Sequence, residues 1–127
     1  MTHRSRLAAV LVDVPVDDRQ RAVEFWSAAF GTPGRPAREH PEYHWFGEIT
    51  PGVIGMVQGT GDDKPRVHFD IETDDIEAEV ERLEGLGATE VQRAGGWVVL
   101  RDPVGVVFCV VEIQVKEMFD RAAHTWE

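Results

Sequence analysis

The stretch VHFDIETDD at residues 67–75 repeats the pattern of VLVDVPVDD at residues 10–18. Asp13 and Asp70 occupy the same place in the two copies, apolar residues alternate around them, and each copy ends in a pair of aspartates. Alternating apolar residues before a helix-capping aspartate are typical of a short strand that leads into a helix. A repeat of this kind predicts two similar modules within the chain.

An amphipathic helix is predicted after each of these strands. In the first module, apolar residues recur at spacings of three and four up to Phe30, and Gly31 ends the pattern. In the second module, Ile76 begins a similar pattern that ends at Gly87. An aspartate that accepts from the first-turn N–H groups and a glycine after the last turn are the expected helix boundaries.

Strands follow each helix. The predicted strands are residues 43–49 and 53–58 in the first module, and residues 89–93, 96–100 and 106–113 in the second. Pro and Gly between paired strands favour tight turns at Pro51 and Pro103. Residues 31–41 contain too many Pro and Gly residues for an assignment. The sequence therefore predicts an α+β fold with a β-α-β-β-β order repeated twice.

Composition limits what this chain can be. It has 127 residues, a formal net charge of −10, 43% hydrophobic residues and a single cysteine, Cys109. This length and apolar content predict one folded domain, with module one at about 7–58 and module two at about 66–113. Residues 114–127 form a C-terminal extension, predicted as a docking helix with a frayed tail as the alternative.

The acidic surplus argues against nucleic acid and anionic membranes as partners. We expect a soluble, cytoplasmic protein.

Taken together, these motifs resemble those of the vicinal oxygen chelate (VOC) superfamily, which includes glyoxalases, dioxygenases and bleomycin-resistance proteins. The residues that carry the resemblance are the stretches 16–18, 22–26, 30–31, 67–71, 74–75, 86–88, 97–100, 102–105 and 108–110. The resemblance covers about residues 7–113 and is strongest to the glyoxalase-like domain group. It implies a cup-shaped, barrel-like mixed sheet built from two βαβββ modules, often assembled as a homodimer.

The resemblance also implies metal ligands on the first and last strand of each module. His68 matches the position in module two, but Leu11 occupies the equivalent place in module one. On the last strands, Cys109 stands where metalloenzymes of the superfamily usually carry Glu, and Gln58 is the available oxygen donor in module one. Hard divalent ions prefer carboxylates and water. We therefore assign no metal ligand and predict no cofactor, although a divalent metal at His68 is possible.

The candidate ligand-binding residues are Leu11, Trp45, Met56, Gln58, Trp97 and Cys109. Trp45 and Trp97 hold corresponding places in the two modules, so they predict either ordinary core packing or a stacking platform for a planar or cationic ligand. His68 is the candidate catalytic residue, because imidazole can transfer protons near neutral pH, with a hydrogen-bonded core histidine as the alternative. We expect the carboxylates at helix starts and on exterior faces, which would leave the cavity almost without them.

Three functions are consistent with these residues. The first is a bleomycin-resistance-like protein that binds and sequesters an aromatic or cationic small molecule. The second is a metal-dependent enzyme, a glyoxalase-like lyase or isomerase or a dioxygenase-type relative, that uses His68. The third is a structural or interaction domain whose cavity is filled by side chains. Whether the protein is an enzyme is left open by the sequence.

Overall fold

The computed structural model describes residues 2–127 and divides into two compact units. The N-terminal unit is Ala9–His68, and the C-terminal unit is Phe69–Glu127 together with residues 2–8. The strands are β1 (His3–Pro15), β2 (Arg35–Pro36), β3 (Tyr43–Thr50), β4 (Val53–Thr60), β5 (Arg66–Thr73), β6 (Thr89–Ala94), β7 (Trp97–Arg101), β8 (Val107–Glu112) and β9 (His124–Trp126). The helices are α1 (Arg19–Phe30), α2 (Ile76–Gly85) and α3 (Lys116–Ala122). The division between the units falls within β1 and within β5.

In the N-terminal unit, the strands lie in the order β2-β3-β4-β1. β1 runs parallel to β4, and the two other pairings are antiparallel. Helix α1 covers one face of this sheet, where Val23 packs on Val14, Phe46 and Val57. All four side chains are buried.

The C-terminal unit repeats this arrangement. Its strands lie in the order β5-β8-β7-β6, with β5 parallel to β8 and the other pairs antiparallel. Helix α2 packs through Val80 on Val98, Leu100 and Val110. The predicted β-α-β-β-β order is therefore found twice, and the predicted α+β fold class is confirmed.

The predicted helix ends are found, but one predicted cap is wrong. Gly31 and Gly87 adopt positive φ angles of 72° and 111° just after the two helices. Asp75 caps α2 by accepting a hydrogen bond from the Ala78 N–H at 3.0 Å. Asp18 makes no such bond, because it ends a short 3-10 turn with helical backbone angles, and its carboxylate accepts instead from Arg21.

The C-terminal extension forms helix α3 and strand β9, and both pack within the C-terminal unit. Phe119 and Met118 bury their side chains, as the predicted docking helix requires. β9 pairs antiparallel with the start of β1, and the Trp126 indole N–H donates to the Ser5 hydroxyl at 2.8 Å. The alternative of a frayed tail is wrong, since residues 116–122 are helical and residues 124–126 form a strand.

A buried carboxylate links α2 to this C-terminal segment. Glu79 is fully buried and accepts hydrogen bonds from the Arg82 guanidinium at 2.8 and 2.9 Å, and its Oε1 lies 2.7 Å from the His3 Nε2. The same guanidinium lies over the Trp126 ring, 3.9 Å from its centroid. Burial works to raise the pKa of Glu79, but the hydrogen bonds from Arg82 and His3 outweigh it, so the pKa lies below its usual value.

Among the helices of residues 2–127, none has the length and apolar content that a membrane span requires.

Candidate active site

Each unit has one sheet face that its helix leaves uncovered. In the N-terminal unit, Leu11, Met56 and Trp45 stand side by side on this face, in register across β1, β4 and β3. Leu11 is buried at one end of the row, whereas 42% of Trp45 is exposed at the other. Three of the predicted ligand-binding residues are thus neighbours on one surface.

A polar row runs beside this apolar one. Asp13, Gln58 and Tyr43 are in register across the same three strands, two residues further along β1 and β4. The Gln58 amide donates to the Tyr43 hydroxyl at 3.1 Å. Because strand residues two apart share a face, this row lies on the same uncovered side as Trp45.

His68 joins the polar row from the start of β5. Its Nδ1 lies 2.5 Å from the Asp13 Oδ2, and the side chains are only 11% and 3% exposed, respectively. An ionised carboxylate only accepts hydrogen bonds, so Nδ1 must carry the proton and the lone pair of the neutral ring is on Nε2. The Arg66 Nε lies 3.6 Å from the same Asp13 oxygen. A carboxylate that fixes the tautomer of an imidazole is the arrangement general-base catalysis uses.

The equivalent face of the C-terminal unit holds Trp97 and Cys109. Cys109 lies between Asp70 on β5 and Val99 on β7, and Trp97 is in register with Val111. Trp97 is 45% exposed, and Cys109 is partly buried. The two tryptophans therefore occupy the uncovered face of their respective sheets, opposite the side on which each helix packs.

The expectation of a site almost without carboxylates is wrong. Asp13 and Asp70 both lie on uncovered sheet faces, and Asp13 is nearly fully buried there beside His68. The sequence holds a signal for this, because both aspartates recur at the same place of the repeat, on the same side of their strands as Leu11 and His68. Asp13 is the functional candidate that the sequence analysis missed.

The metal set implied by the family resemblance does not fit these residues. Leu11 offers only hydrocarbon, so one position of the implied ligand set has no donor atom. The Gln58 side chain donates through its amide nitrogen to the Tyr43 hydroxyl. His68, Asp70 and Cys109 each have a side-chain atom of a kind that binds metals: an imidazole nitrogen, a carboxylate oxygen and a thiol sulfur, respectively. Nitrogen and sulfur donors suit zinc better than magnesium or manganese.

Similar structures support the fold. The methylmalonyl-CoA epimerase from Mycobacterium tuberculosis matches with a TM-score of 0.59 and 16% identity, over 87% of this chain and 89% of that one. A hypothetical protein from Bacillus halodurans matches with a TM-score of 0.65 and 10% identity, over 87% and 96% of the two chains. A single-residue variant of the methylmalonyl-CoA epimerase from Streptomyces coelicolor, in complex with 2-nitronate-propionyl-CoA, has a TM-score of 0.56 and 15% identity, over 84% and 93%. At these identities the likeness extends to the fold alone.

Sequence comparison gives the family. No curated protein has a sequence that matches this chain. The glyoxalase-like domain family matches residues 9–111, which include both βαβββ modules up to the last strand of the second. This match and the shared fold agree with the motifs found in the sequence, and the chain belongs to the glyoxalase-like domain family of the VOC superfamily.

Proposed function

We propose that this protein is an enzyme that moves a proton to or from a small molecule at His68. The observation that carries the proposal is the hydrogen bond of 2.5 Å between His68 and the buried Asp13. Asp13 holds the imidazole in one orientation, with the Nε2 lone pair as the proton acceptor. When Nε2 takes a proton, the carboxylate stabilises the positive charge that forms on the ring.

The proposed substrate is a small molecule with an acidic C–H bond next to a carbonyl or thioester group. The proteins of similar fold named above include methylmalonyl-CoA epimerases, and a change of configuration at carbon is achieved by removal and return of a proton. The exposed Trp45, two residues along the sheet from the polar row, offers a face for a flat substrate.

Proton exchange tests this proposal without a known reaction product. Carbonyl and acyl-CoA compounds are incubated with the protein in D2O, and NMR follows the loss of the α-proton signal. We expect the wild-type protein to accelerate exchange of at least one compound class, and a His68→Asn variant to lose that acceleration. If the variant exchanges all compounds as fast as the wild type does, the proposal is wrong.

Binding of a divalent metal is an alternative role for the His68 Nε2. The Nε2 lone pair can bind a metal or accept a proton, but not both at once. Bound zinc would polarise a substrate carbonyl in place of acid–base chemistry by the ring. If EDTA abolishes proton exchange and zinc restores it, the metal-dependent alternative replaces the proposal.

Sequestration of a ligand is the second candidate function, favoured by the exposed indoles of Trp45 and Trp97. A cationic aromatic compound stacked on an indole gains about 0.5–2 kcal/mol. We therefore expect Trp45→Leu to weaken binding of ethidium, used as a probe, by about 2- to 30-fold in a fluorescence titration. The matched control is Phe25→Leu, which removes an exposed ring from α1. If the Trp45→Leu and Phe25→Leu proteins bind ethidium with equal affinity, Trp45 is not part of the binding surface.

The proposal extends to the location, the oligomeric state and the partners of the protein. We propose that it acts in the cytoplasm as a homodimer, with a small-molecule ligand as its partner rather than nucleic acid or a membrane. The net charge of −10 supports the exclusion of polyanionic partners.

A further inference from the structure

The polar row of the N-terminal unit contains one more group that can act on a substrate, the hydroxyl of Tyr43. Tyr43 is the only tyrosine of the chain. It lies on β3 with Gln58 in register beside it on β4, and Asp13 follows on β1. Tyr43 and Gln58 are both partly exposed, whereas Asp13 is buried. The row therefore has the Asp13–His68 pair at one end and a phenol at the other.

The proton transfer proposed for His68 creates a need for a second group. When Nε2 takes the α-proton, the electron pair of the C–H bond forms a C=C bond, and the π electrons of the carbonyl move onto its oxygen. A hydrogen-bond donor that is already in place stabilises the negative charge that develops on this oxygen. Asp13 cannot serve as this donor, because an ionised carboxylate only accepts hydrogen bonds.

Gln58 orients the Tyr43 hydroxyl as a donor. The Gln58 amide N–H donates to the hydroxyl oxygen at 3.1 Å. Because a hydroxyl has a single proton and its oxygen here accepts from Gln58, the Tyr43 proton is directed away from Gln58. A hydrogen bond accepted by the oxygen also polarises the O–H bond and strengthens the bond that the hydroxyl donates.

Arg66 is another strong donor near His68, but carboxylates hold it. Its Nε lies 3.6 Å from the Asp13 Oδ2, and its Nη2 lies 3.2 Å from the Asp62 Oδ2. These two carboxylates offset the charge that the guanidinium could direct at a substrate oxygen. Tyr43, by contrast, accepts from a neutral amide. The geometry therefore favours Tyr43 over Arg66 as the donor.

We propose that Tyr43 is a catalytic residue that donates a hydrogen bond to the carbonyl oxygen of the substrate, with Gln58 as the positioning residue that orients it. This inference rests on the proton transfer proposed for His68. Neighbouring strands lie about 4.8 Å apart, so the backbones that hold Asp13 and Tyr43 are about 10 Å apart across β4. A small carbonyl compound that lies over Gln58 can place its α-carbon at His68 and its oxygen at Tyr43.

Proton exchange in D2O measures the contribution of the hydroxyl. Tyr43→Phe should lower the catalysed exchange rate by about 10²- to 10³-fold, because it keeps the ring and removes one donor to the developing oxyanion. Thr50→Val is the matched control, since it removes an exposed hydroxyl from the same strand and should exchange at the wild-type rate. Circular dichroism melts show whether both variants are folded. Equal acceleration by the folded Tyr43→Phe and Thr50→Val proteins would overturn the inference.

A double-mutant cycle tests whether Gln58 acts through Tyr43. Gln58→Leu alone should lower the exchange rate by about 2- to 10-fold, as expected for the loss of a hydrogen bond between neutral groups. In the Tyr43→Phe background the same substitution should have almost no effect, because no hydroxyl is left to orient. An equal effect in both backgrounds would overturn the positioning role of Gln58.

Nitronate binding separates this inference from the proposed function. Propane-2-nitronate is a planar anion with the shape of an enolate, and its binding requires no removal of a proton from carbon. In an NMR titration, Tyr43→Phe should weaken its binding at least tenfold relative to Thr50→Val, in the wild-type and in the His68→Asn background alike. Equal nitronate affinities of the Tyr43→Phe and Thr50→Val proteins, or a wild-type protein that binds no nitronate, would overturn the inference.

The two proposals can therefore fail separately. If His68→Asn exchanges protons as fast as the wild type does, but nitronate affinity depends on Tyr43, the role of His68 is wrong and the contact of Tyr43 with the oxyanion stands. If His68→Asn loses exchange, but Tyr43→Phe keeps both exchange and nitronate affinity, the proposed function stands and the role of Tyr43 is wrong. If the wild type accelerates no exchange, the nitronate affinities alone decide the role of Tyr43.

Discussion

Asp13→Asn should lower the rate of catalysed proton exchange by about 10²- to 10⁴-fold and leave the fold intact. Asn is nearly the same size as Asp, so the packing beside His68 is kept. Its neutral amide, however, can donate to the ring as well as accept from it, and no longer fixes the proton on Nδ1. It also removes the negative charge that stabilises the protonated ring. Deuterium incorporation followed by NMR measures the effect.

Asp63→Asn is the matched control for this experiment, because Asp63 is exposed in the segment between β4 and β5. It removes the same charge from the protein without touching His68, and should exchange protons at the wild-type rate. Circular dichroism melts of both variants show whether the fold is kept. An Asp13→Asn protein that is folded and as active as the Asp63→Asn control would exclude Asp13 from the mechanism.

Glu79→Ala should lower the free energy of unfolding by about 3–5 kcal/mol. The substitution leaves the Arg82 guanidinium and the buried His3 ring without their shared carboxylate. It also releases the guanidinium that lies over Trp126, and with it the contact of the C-terminal segment with α2. For a domain of this size, the loss corresponds to a decrease in melting temperature of roughly 10–20 °C. Urea unfolding and thermal melts measure both quantities.

Glu81→Ala is the control for Glu79→Ala, since it removes an exposed carboxylate from the same helix. It should change the unfolding free energy by less than about 0.5 kcal/mol. If the two variants lose similar amounts of unfolding free energy, the buried carboxylate of Glu79 contributes no more to stability than the exposed carboxylate of Glu81.

The pH dependence of stability provides a second test of this network. The pKa of Glu79 in the folded protein lies below its ordinary value of 4.5, so the folded state favours the ionised form. Its contribution is complete above that ordinary value and is lost as the pH falls through the lower, folded-state pKa. The stability difference between the wild type and Glu79→Gln should therefore narrow on acidification below pH 4.5. A difference that stays constant there would contradict the assigned role.

The fold was predictable because its information is local and repeated. The alternation around Asp13 and Asp70, the spacing of apolar residues in each helix and the glycines at Gly31 and Gly87 each specify a few neighbouring residues. Two copies of the pattern reinforce each other. The two-residue strand β2 was not predictable, because a strand that short has no alternation to detect.

The functional pair was harder to predict, because its members are 55 residues apart in the sequence. His68 stands out as an imidazole in an apolar strand, but nothing near it in sequence indicates that Asp13 is its partner. In the sequence, Asp13 is identified as a residue of the repeated strand, where it corresponds to Asp70. The contact of Trp126 with Ser5 is equally remote, at 121 residues, and depends on where the tail docks. Local patterns place residues on faces of strands, whereas tertiary packing decides which side chains meet.

The tautomer of the His68 ring decides whether Nε2 can accept a proton from a substrate. Long-range ¹H–¹⁵N NMR correlation of the histidine rings distinguishes a protonated ring nitrogen from one with a lone pair. For neutral His68 in the wild-type protein, we expect a proton on Nδ1 and none on Nε2, and loss of this preference in Asp13→Asn. A neutral ring that carries its proton on Nε2 in the wild type would rule out His68 as the proposed base, because Nε2 could not then accept a proton from a substrate.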